Sequence, residues 1–479
     1  MTTDTKLPNK VIPIQAVPND DDTLVSLYAA SKKIYPRSVE GIFAYWRWVV
    51  VAITQLMFYG LPWLEWGARQ AVLFDLEARR FYIFGLVLYP QDFIYLTGLL
   101  IIAALSLFLF TAVAGRLWCG YACPQTVYSE IFLWIERKIE GDRSARMRLD
   151  DANLSARKIT KKIYKHTAWI ALSLWTGFTF VGYFTPIHEL AVSSFAAHWG
   201  SWEIFWVFFY AFATYGNAGF MREQVCKYMC PYARFQSAMF DHDTLIVTYD
   251  TERGEPRGAR SKKTDLVAAN LGACVDCSLC VQVCPTGIDI RQGLQYECIG
   301  CGACADVCDT VMVKLGYAKG LVRYSTQNAM NNKWTARQTL LRVFRPRVLV
   351  YTSILLALVI AFGTSLAMRS PFKVDVVRDR ATLARITENG ALENIYRLQI
   401  MNAAELDKTY QLSVHGMQGI EIVTETEVDV AAAQSRWVVL RVNIPYGSSE
   451  AGSHKITFDI QDTSGQHMVH EKSVFLVPR

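Results

Sequence analysis

Eight of the twelve cysteines fall in two runs, and these runs limit the possible folds more than any other feature. Cys274, Cys277, Cys280 and Cys284 spell C-x2-C-x2-C-x3-C-P; Cys298, Cys301, Cys304 and Cys308 repeat the spacing without the final proline. This is the signature of a pair of [4Fe–4S] clusters, in which the fourth cysteine of each run crosses to the other cluster. It assigns Cys274, Cys277, Cys280 and Cys308 to one cluster, and Cys298, Cys301, Cys304 and Cys284 to the second. Soft thiolates suit iron sulfide, whereas zinc motifs separate their ligand pairs by a longer loop. Gly300 and Gly302 let backbone amides approach the inorganic sulfides. Asp309 stands where the first run has proline and adds a carboxylate expected to lower the potential of the cluster that Cys308 serves. A chain organised around such centres moves single electrons.

The apolar residues, 52% of the chain, are bunched. Five charge-free stretches, 48–64, 93–114, 167–184, 204–220 and 348–368, are expected to cross a bilayer as helices. Tyr89 and Trp202 lie near span ends, where amphipathic aromatics favour the interface. No apolar leader with a small-residue cleavage site precedes the first span, which is therefore expected to act as the membrane signal. The segment 115–166 holds eleven Lys or Arg and the segment 185–203 holds none, so the former is expected inside and the latter outside. Arg369 and Lys373, just beyond the fifth span, weaken that signal locally, and the number of crossings decides the C-terminal side. The net charge of +6 reports this inside bias and no nucleic-acid partner. Every cysteine then lies at or in the cytoplasm, the reverse of a disulfide framework.

The expected organisation is a cytoplasmic tail over 1–45 carrying Lys32, Lys33 and Arg37, a four-span membrane domain over 46–240 and a cytoplasmic 2[4Fe–4S] ferredoxin-like insert over 241–340. A fifth helix over 348–368 and an external domain over 371–479 follow. That domain alternates apolar and polar residues over 396–400, 410–414, 437–442, 456–460 and 473–476, with turn residues between, which predicts an immunoglobulin-like β-sandwich. The Cys–Trp–Cys pattern of true immunoglobulin domains is absent.

A second motif is duplicated. Arg116-Leu-Trp-Cys119-Gly-Tyr-Ala-Cys123-Pro124 follows the second span, and Arg222-Glu-Gln-Val-Cys226-Lys-Tyr-Met-Cys230-Pro231 follows the fourth. On a helix the i and i+4 thiols would share a face, and duplication would bring Cys119, Cys123, Cys226 and Cys230 together at the inner membrane surface. Four soft thiols can bind Cu(I), hold an iron–sulfur cluster, or cycle between dithiol and disulfide; Met229 adds a thioether. The stretch after Pro124 places Val127, Ile131, Trp134, Ile135 and Ile139 on one helical face, with Glu136, Arg137 and Lys138 off it, as in a helix lying on the inner leaflet. His188 and His198, in the external loop, are candidate ligands for a metal arriving from outside. No haem-attachment motif, P-loop or dinucleotide fingerprint is present, so an unidentified separate electron donor is implied.

Taken together, the spans, the two C-x3-C-P motifs, the cluster pair and the C-terminal β domain resemble the CcoG/FixG (RdxA-like) family of cytochrome c oxidase accessory proteins. Lys33-Ile-Tyr-Pro-Arg37 and Gly67-Arg-Gln-Ala-Val-Leu-Phe74 are similar to that family too. The resemblance implies a protein of the bacterial inner membrane that reduces Cu(II) to Cu(I) for assembly of a cbb-type oxidase, with oxidase subunits or a copper chaperone or transporter as partners. By the same resemblance Cys119, Cys123, Cys226 and Cys230 are the redox or copper-handling thiols. Two further readings stand beside it: a quinol-linked membrane ferredoxin serving another redox enzyme, and an oxidase assembly scaffold. A homodimer is compatible with each.

Overall fold

The computed structural model describes residues 33–478 except 197, 262, 263, 267, 380–383, 464 and 466. Most of the expected N-terminal tail, Lys32 included, lies outside them. Five long helices run between two poles. α1 (Ile42–Gly60) leads from the iron–sulfur pole to the opposite one, and α2 (Phe93–Ala114) leads back. α3 (Leu117–Tyr121), α4 (Pro124–Glu140) and α5 (Arg143–Asp151) form at the first pole. α6 (Ala156–Val181) leads away again, α7 (Ile187–Phe195) turns at the far pole, and α8 (Ser201–Thr214) returns. α8 loosens into π-type turns over Tyr215–Met221 and Val225–Met229 before α9 (Pro231–Met239). The helix Pro346–Ala367 then leads to the C-terminal domain.

Among the described residues, three segments are long and apolar enough to cross a membrane: Ile42–Trp63, Pro90–Ala114 and Pro346–Ala367. α2 alone is 22 residues without a charge, about 33 Å at 1.5 Å per residue, which matches a hydrocarbon core. α6 and α8 differ from the expected 167–184 and 204–220. α6 begins at Ala156, because Lys158, Lys161, Lys162 and Lys165 continue the helix into the polar pole. α8 keeps regular α-turns only to Thr214. The two helices nearly touch at Gly177, where any Cβ would collide with the Val207 carbonyl oxygen.

Between α1 and α2 lies a meander that the sequence reading missed: strands Val72–Asp75, Arg80–Ile83 and Leu86–Leu88. Leu73, Tyr82, Val87 and Tyr89 from this region share a core with Met401 and Ala433 of the C-terminal domain. Tyr89 is therefore not an interfacial aromatic. It is buried, and its hydroxyl donates to the Asn402 carbonyl at 2.8 Å.

The C-terminal domain is a two-sheet sandwich. Glu421–Ile422, Ser435–Ile444, Leu392–Asn402 and Phe372–Arg378 form one sheet in that order, with Arg385–Ile386 also paired to Leu392–Asn402. Glu427–Val430, Lys408–His415, Gly452–Asp462 and Met468–Val477 form the other. Alternate residues face inward: Tyr396, Leu398 and Ile400 meet Leu412, Phe458, Ile460 and Phe475. All five expected strands fall inside observed ones.

The iron–sulfur body is joined to the helices through their ends. The Asp306 carboxylate accepts from the amides of Phe43 (3.2 Å) and Ala44 (2.8 Å), satisfying donors that open α1. At the end of α2, the Ala112 carbonyl accepts from Thr244 Oγ1 and Arg345 Nη2, and the Val113 carbonyl accepts from the Leu245 amide. Helix ends that would otherwise leave polar groups unpaired thus become the attachment points.

Candidate metal centres

The eight cysteines of the two runs line two adjoining cavities. One is bordered by Cys274, Cys277, Cys280 and Cys308 together with Tyr249, Arg291 and Met312. The other is bordered by Cys284, Cys298, Cys301 and Cys304 with Val247, Ile288 and Ile290, and Cys280 also reaches it. The crossed assignment read from spacing is thus the grouping seen in space. Burial pushes the Cys308 thiol up to about 12, and Cys280, Cys274, Asp309 and Cys277 add to the shift. Burial also drives Cys304 well above the ordinary thiol value, with Cys301, Cys298 and Cys284 adding to it. Thiols crowded this way stay protonated until a metal displaces the protons, so the donor set fits iron–sulfur clusters.

The backbone repeats between the runs. Asp276 and Ser278 hold φ of +51° and +55°, and their counterparts Gly300 and Gly302 hold +66° and +73°. Left-handed residues flanking the middle cysteine turn successive amides inward, a concavity suited to an anionic group. Glycine adopts this freely, whereas Asp276 and Ser278 do so at a cost of about 1–2 kcal/mol each. Gly302 has a second reason: a Cβ there would meet the Phe43 side chain at 2.9 Å and the Tyr324 hydroxyl at 3.0 Å. Asp309 is occupied structurally, its Oδ1 accepting from the Gly320 amide at 2.8 Å.

Sequence reasoning missed two arginines around the Cys298 cavity. Arg47, 7% exposed, donates from Nη1 to the Cys301 carbonyl at 3.0 Å. Arg116 donates to the carbonyls of Tyr296, Cys298 (3.2 Å) and Ala233 (2.7 Å). The available signals were a lone charge opening an apolar span and the arginine that begins each C-x3-C-P repeat. Arg222, the second of these, pairs instead with Glu136 at 3.1 Å.

The C-x3-C-P cysteines are not one helical face each, as expected. Cys119 lies in α3, but Cys123 is past its end, extended, and opens α4 ahead of Pro124. Cys226 sits on the π-type turns and Cys230 opens α9 ahead of Pro231. A proline at the first helical position suits such a corner. The two corners meet: Gln125 Nε2 donates to the carbonyls of Asn217 (2.9 Å) and Arg222 (3.0 Å). Buried Gln236 donates to Cys119 Sγ at 3.2 Å. Burial pushes Cys226 up to about 12, and Cys123, Cys119 and Cys230 add to it. Burial likewise pushes Cys119 up to about 11. Among the described residues no three His, Cys, Asp or Glu side chains converge on a single-ion centre. Met229 is exposed.

The thiol corner and the Cys298 cavity are neighbours. Gly120 packs so closely on the iron–sulfur body that a Cβ would lie 2.8 Å from the Cys301 Cα. Cys119 packs with Ile299 and Cys301. A cleft is bordered by both Cys226 and Cys301 and walled by Arg37, Arg47, Arg137 and Arg222 against Glu130 and Glu223. His188 and His198 have separate partners: His188 Nε2 lies 3.7 Å from Glu65, while the His198 amide donates to the Ser193 carbonyl at 3.0 Å.

Paired four-cysteine cavities, long apolar helices and an immunoglobulin-like sandwich define a membrane-anchored iron–sulfur protein with a redox role. Family models agree on its parts: a 4Fe-4S binding domain over residues 96–141, a 4Fe-4S dicluster domain over 221–327 and the IG-like fold at the C-terminus of FixG over 362–478. The chain is 40% identical to nitrogen fixation protein FixG of Rhizobium meliloti over 422 residues, 82% of this chain and 80% of that one. It is 38% identical to protein RdxA and 37% identical to protein RdxB of Cereibacter sphaeroides. Those matches cover 89% and 95% of this chain and 92% and 98% of the relatives. A crystal structure of a FixG-related protein from Vibrio parahaemolyticus matches 22% of the chain and 97% of its own length, at 21% identity and a TM-score of 0.21. The chain belongs to the FixG/RdxA family.

Proposed function

We propose that the chain is a cupric reductase of the bacterial inner membrane, supplying Cu(I) for assembly of a cbb-type oxidase. Five helices cross the bilayer in this reading, with the iron–sulfur pole cytoplasmic and the sandwich periplasmic. The observation that carries it is the cleft bordered at once by Cys226 of the thiol corner and Cys301 of the Cys298 cavity. Bound in the two cavities, [4Fe–4S] clusters supply storage and transfer of one electron at a time. The residues give that transfer a direction. Cys277 is exposed, so the Cys274 cavity is the side open to a donor, while Cys301 backs onto Gly120 and the thiol corner. Arg47 and Arg116 place positive charge at the inner cavity and favour the more negative, reduced state there.

Substrate copper meets Cys119, Cys123, Cys226 and Cys230, whose thiol protons leave as sulfur binds the ion. One electron converts Cu(II) to Cu(I), the state that thiolates prefer. Oxidase subunits or a copper carrier then receive it. The test is anaerobic Cu(II) reduction by purified, dithionite-reduced protein. Serine at all four C-x3-C-P cysteines is expected to abolish reduction while leaving the iron content intact. Undiminished reduction would remove the thiols from the mechanism.

A further inference from the structure

The outward face of the sheet containing Lys408–His415, Gly452–Asp462 and Met468–Val477 carries a side-chain cluster that the redox site does not use. His470 stands directly opposite Asp459, with its Nδ1 2.6 Å from Asp459 Oδ1. On the other neighbouring strand, Ser413 is opposite Asp459 and His415 is diagonal to it. His415 Nε2 lies 3.3 Å from Asp459 Oδ2. One carboxylate therefore holds two imidazoles, one on each oxygen. Both rings are largely exposed, at 67% and 60%, while Asp459 is 18% exposed. Met468, exposed on the same face two residues before His470, occupies another diagonal of Asp459, and Lys472 a third.

We propose that His415, Asp459 and His470 form a binding site for a divalent first-row transition metal, copper(II) above all. Neutral imidazoles and a carboxylate are the donors that copper, zinc and nickel take, and copper(II) binds such a set most tightly of the three. Opposite and diagonal positions on adjacent strands bring the Cβ atoms of His470 and of His415 within about 5–8 Å of that of Asp459, while the two histidines themselves stand on strands either side of it. In the present rotamers the three make ion pairs and no metal centre; both imidazoles have to swing over Asp459 to close the set. Backbone pairing fixes the three positions, and the exposed side leaves room for water or a further ligand. The Met468 thioether adds a soft donor that would hold copper through a change of oxidation state. Lys472 is the one cation diagonal to Asp459, and its flexible stem lets it withdraw. The site is on a different domain from the thiol corner, and its case does not depend on that corner's role.

The test adds one equivalent of copper(II) chloride to the full chain in detergent, with serine at Cys119, Cys123, Cys226 and Cys230 so that the thiols neither bind nor reduce the metal, and with its clusters in the diamagnetic oxidised state. A mononuclear copper(II) EPR signal with coupling to two nitrogens is expected. In the H415N/H470N double variant that coupling disappears, and competition with a chelator shows binding weakened about tenfold or more. D459N, which keeps the shape and loses the charge, weakens copper(II) and zinc(II) alike. These are surface positions, and an unchanged melting curve confirms that the variants fold. A four-serine chain without nitrogen-coupled copper, or a double variant of it with unaltered signal and affinity, overturns the proposal.

Discussion

Arg47 sits where an apolar helix would ordinarily carry no charge. Its burial is offset by a carbonyl acceptor on Cys301, 254 residues away in sequence. A buried guanidinium beside an anionic cluster favours the extra electron. R47M is therefore expected to lower the potential of the cluster at Cys298 by an amount on the order of 60 mV, the tenfold step for one electron, and R47K less. An EPR-monitored redox titration measures both, and the cluster at Cys274 serves as the internal control. Gly302 carries a second residue-level prediction. Alanine there combines left-handed strain of about 1–2 kcal/mol with a clash on Phe43 and Tyr324. G302A is expected to lose the inner cluster and about half the iron, read by iron and labile-sulfide analysis. The ligand cysteines were legible in the sequence because cluster chemistry dictates their spacing. Arg47, Arg116 and Gln236 were not, since their partners are backbone carbonyls and a thiol remote along the chain. Asp276 and Ser278 could have been read by aligning the two runs, where they stand at the places of Gly300 and Gly302.

At the scale of elements, α4 shows what a helical pattern leaves out. Of the apolar stripe expected to lie on the inner leaflet, Val127 is buried, Ile131, Ile135 and Ile139 are half-buried and Trp134 is exposed, while Phe132, Leu133, Glu136 and Glu140 are buried beside it. Two carboxylates go inside because cations from three directions meet them. Glu136 pairs with Arg146 of α5 (2.9 Å), Arg222 (3.1 Å) and Lys165 of α6 (3.6 Å), and Glu140 pairs with Lys162 (2.8 Å) and Lys165 (3.0 Å). Burial pushes the Glu136 carboxyl up, but Arg222, Arg146 and Lys165 outweigh it and hold it below the ordinary carboxylate range. A carboxyl depressed on folding stabilises the fold above its unfolded value and ceases to do so as pH falls through the lower folded value. The joint between α4, α5, α6 and the thiol corner is thus expected to weaken only below about pH 4. E136Q is expected to destabilise by about 3–5 kcal/mol at neutral pH, since it strands buried cations. It also removes that acid-sensitive contribution. Melting temperature followed between pH 7 and pH 3 measures both effects. Single-helix periodicity could not reveal this joint, because its charges come from four segments.

Across the whole molecule, the parts of the fold that were legible are those with a local code: the charge-free helices, the alternating strands of the sandwich and the cysteine runs. The weld at the far pole had none. Its meander strands are only three or four residues long, and their core is completed by a domain nearly three hundred residues later. The same weld accounts for a charge anomaly. In the proposed orientation, Arg369 and Lys373 follow the fifth helix on the side where the positive-inside rule disfavours them. Both meet Asp92 at the start of α2, Arg369 at 2.6 Å, so the pair is neutralised within the fold and carries little topological weight. In the proposed topology, five alternating helices place the meander and the sandwich on one side of the membrane and the clusters on the other. An alkaline phosphatase fused after residue 479 is expected to be active in intact cells, and one inserted at residue 332 inactive; the reverse pattern refutes the orientation. Asp92 also predicts how firmly the sandwich is held. It is buried and serves two cations and the Tyr89 amide (3.0 Å) at once. D92N keeps the shape but leaves Arg369, itself nearly buried, without a counter-ion, at a cost of about 3–5 kcal/mol. Because that cost falls on the joint and not on either core, limited proteolysis is expected to cut near residues 368–372 in D92N while the cluster EPR signal stays as in the wild type. Loss of both together would mean that the two poles fold as one unit.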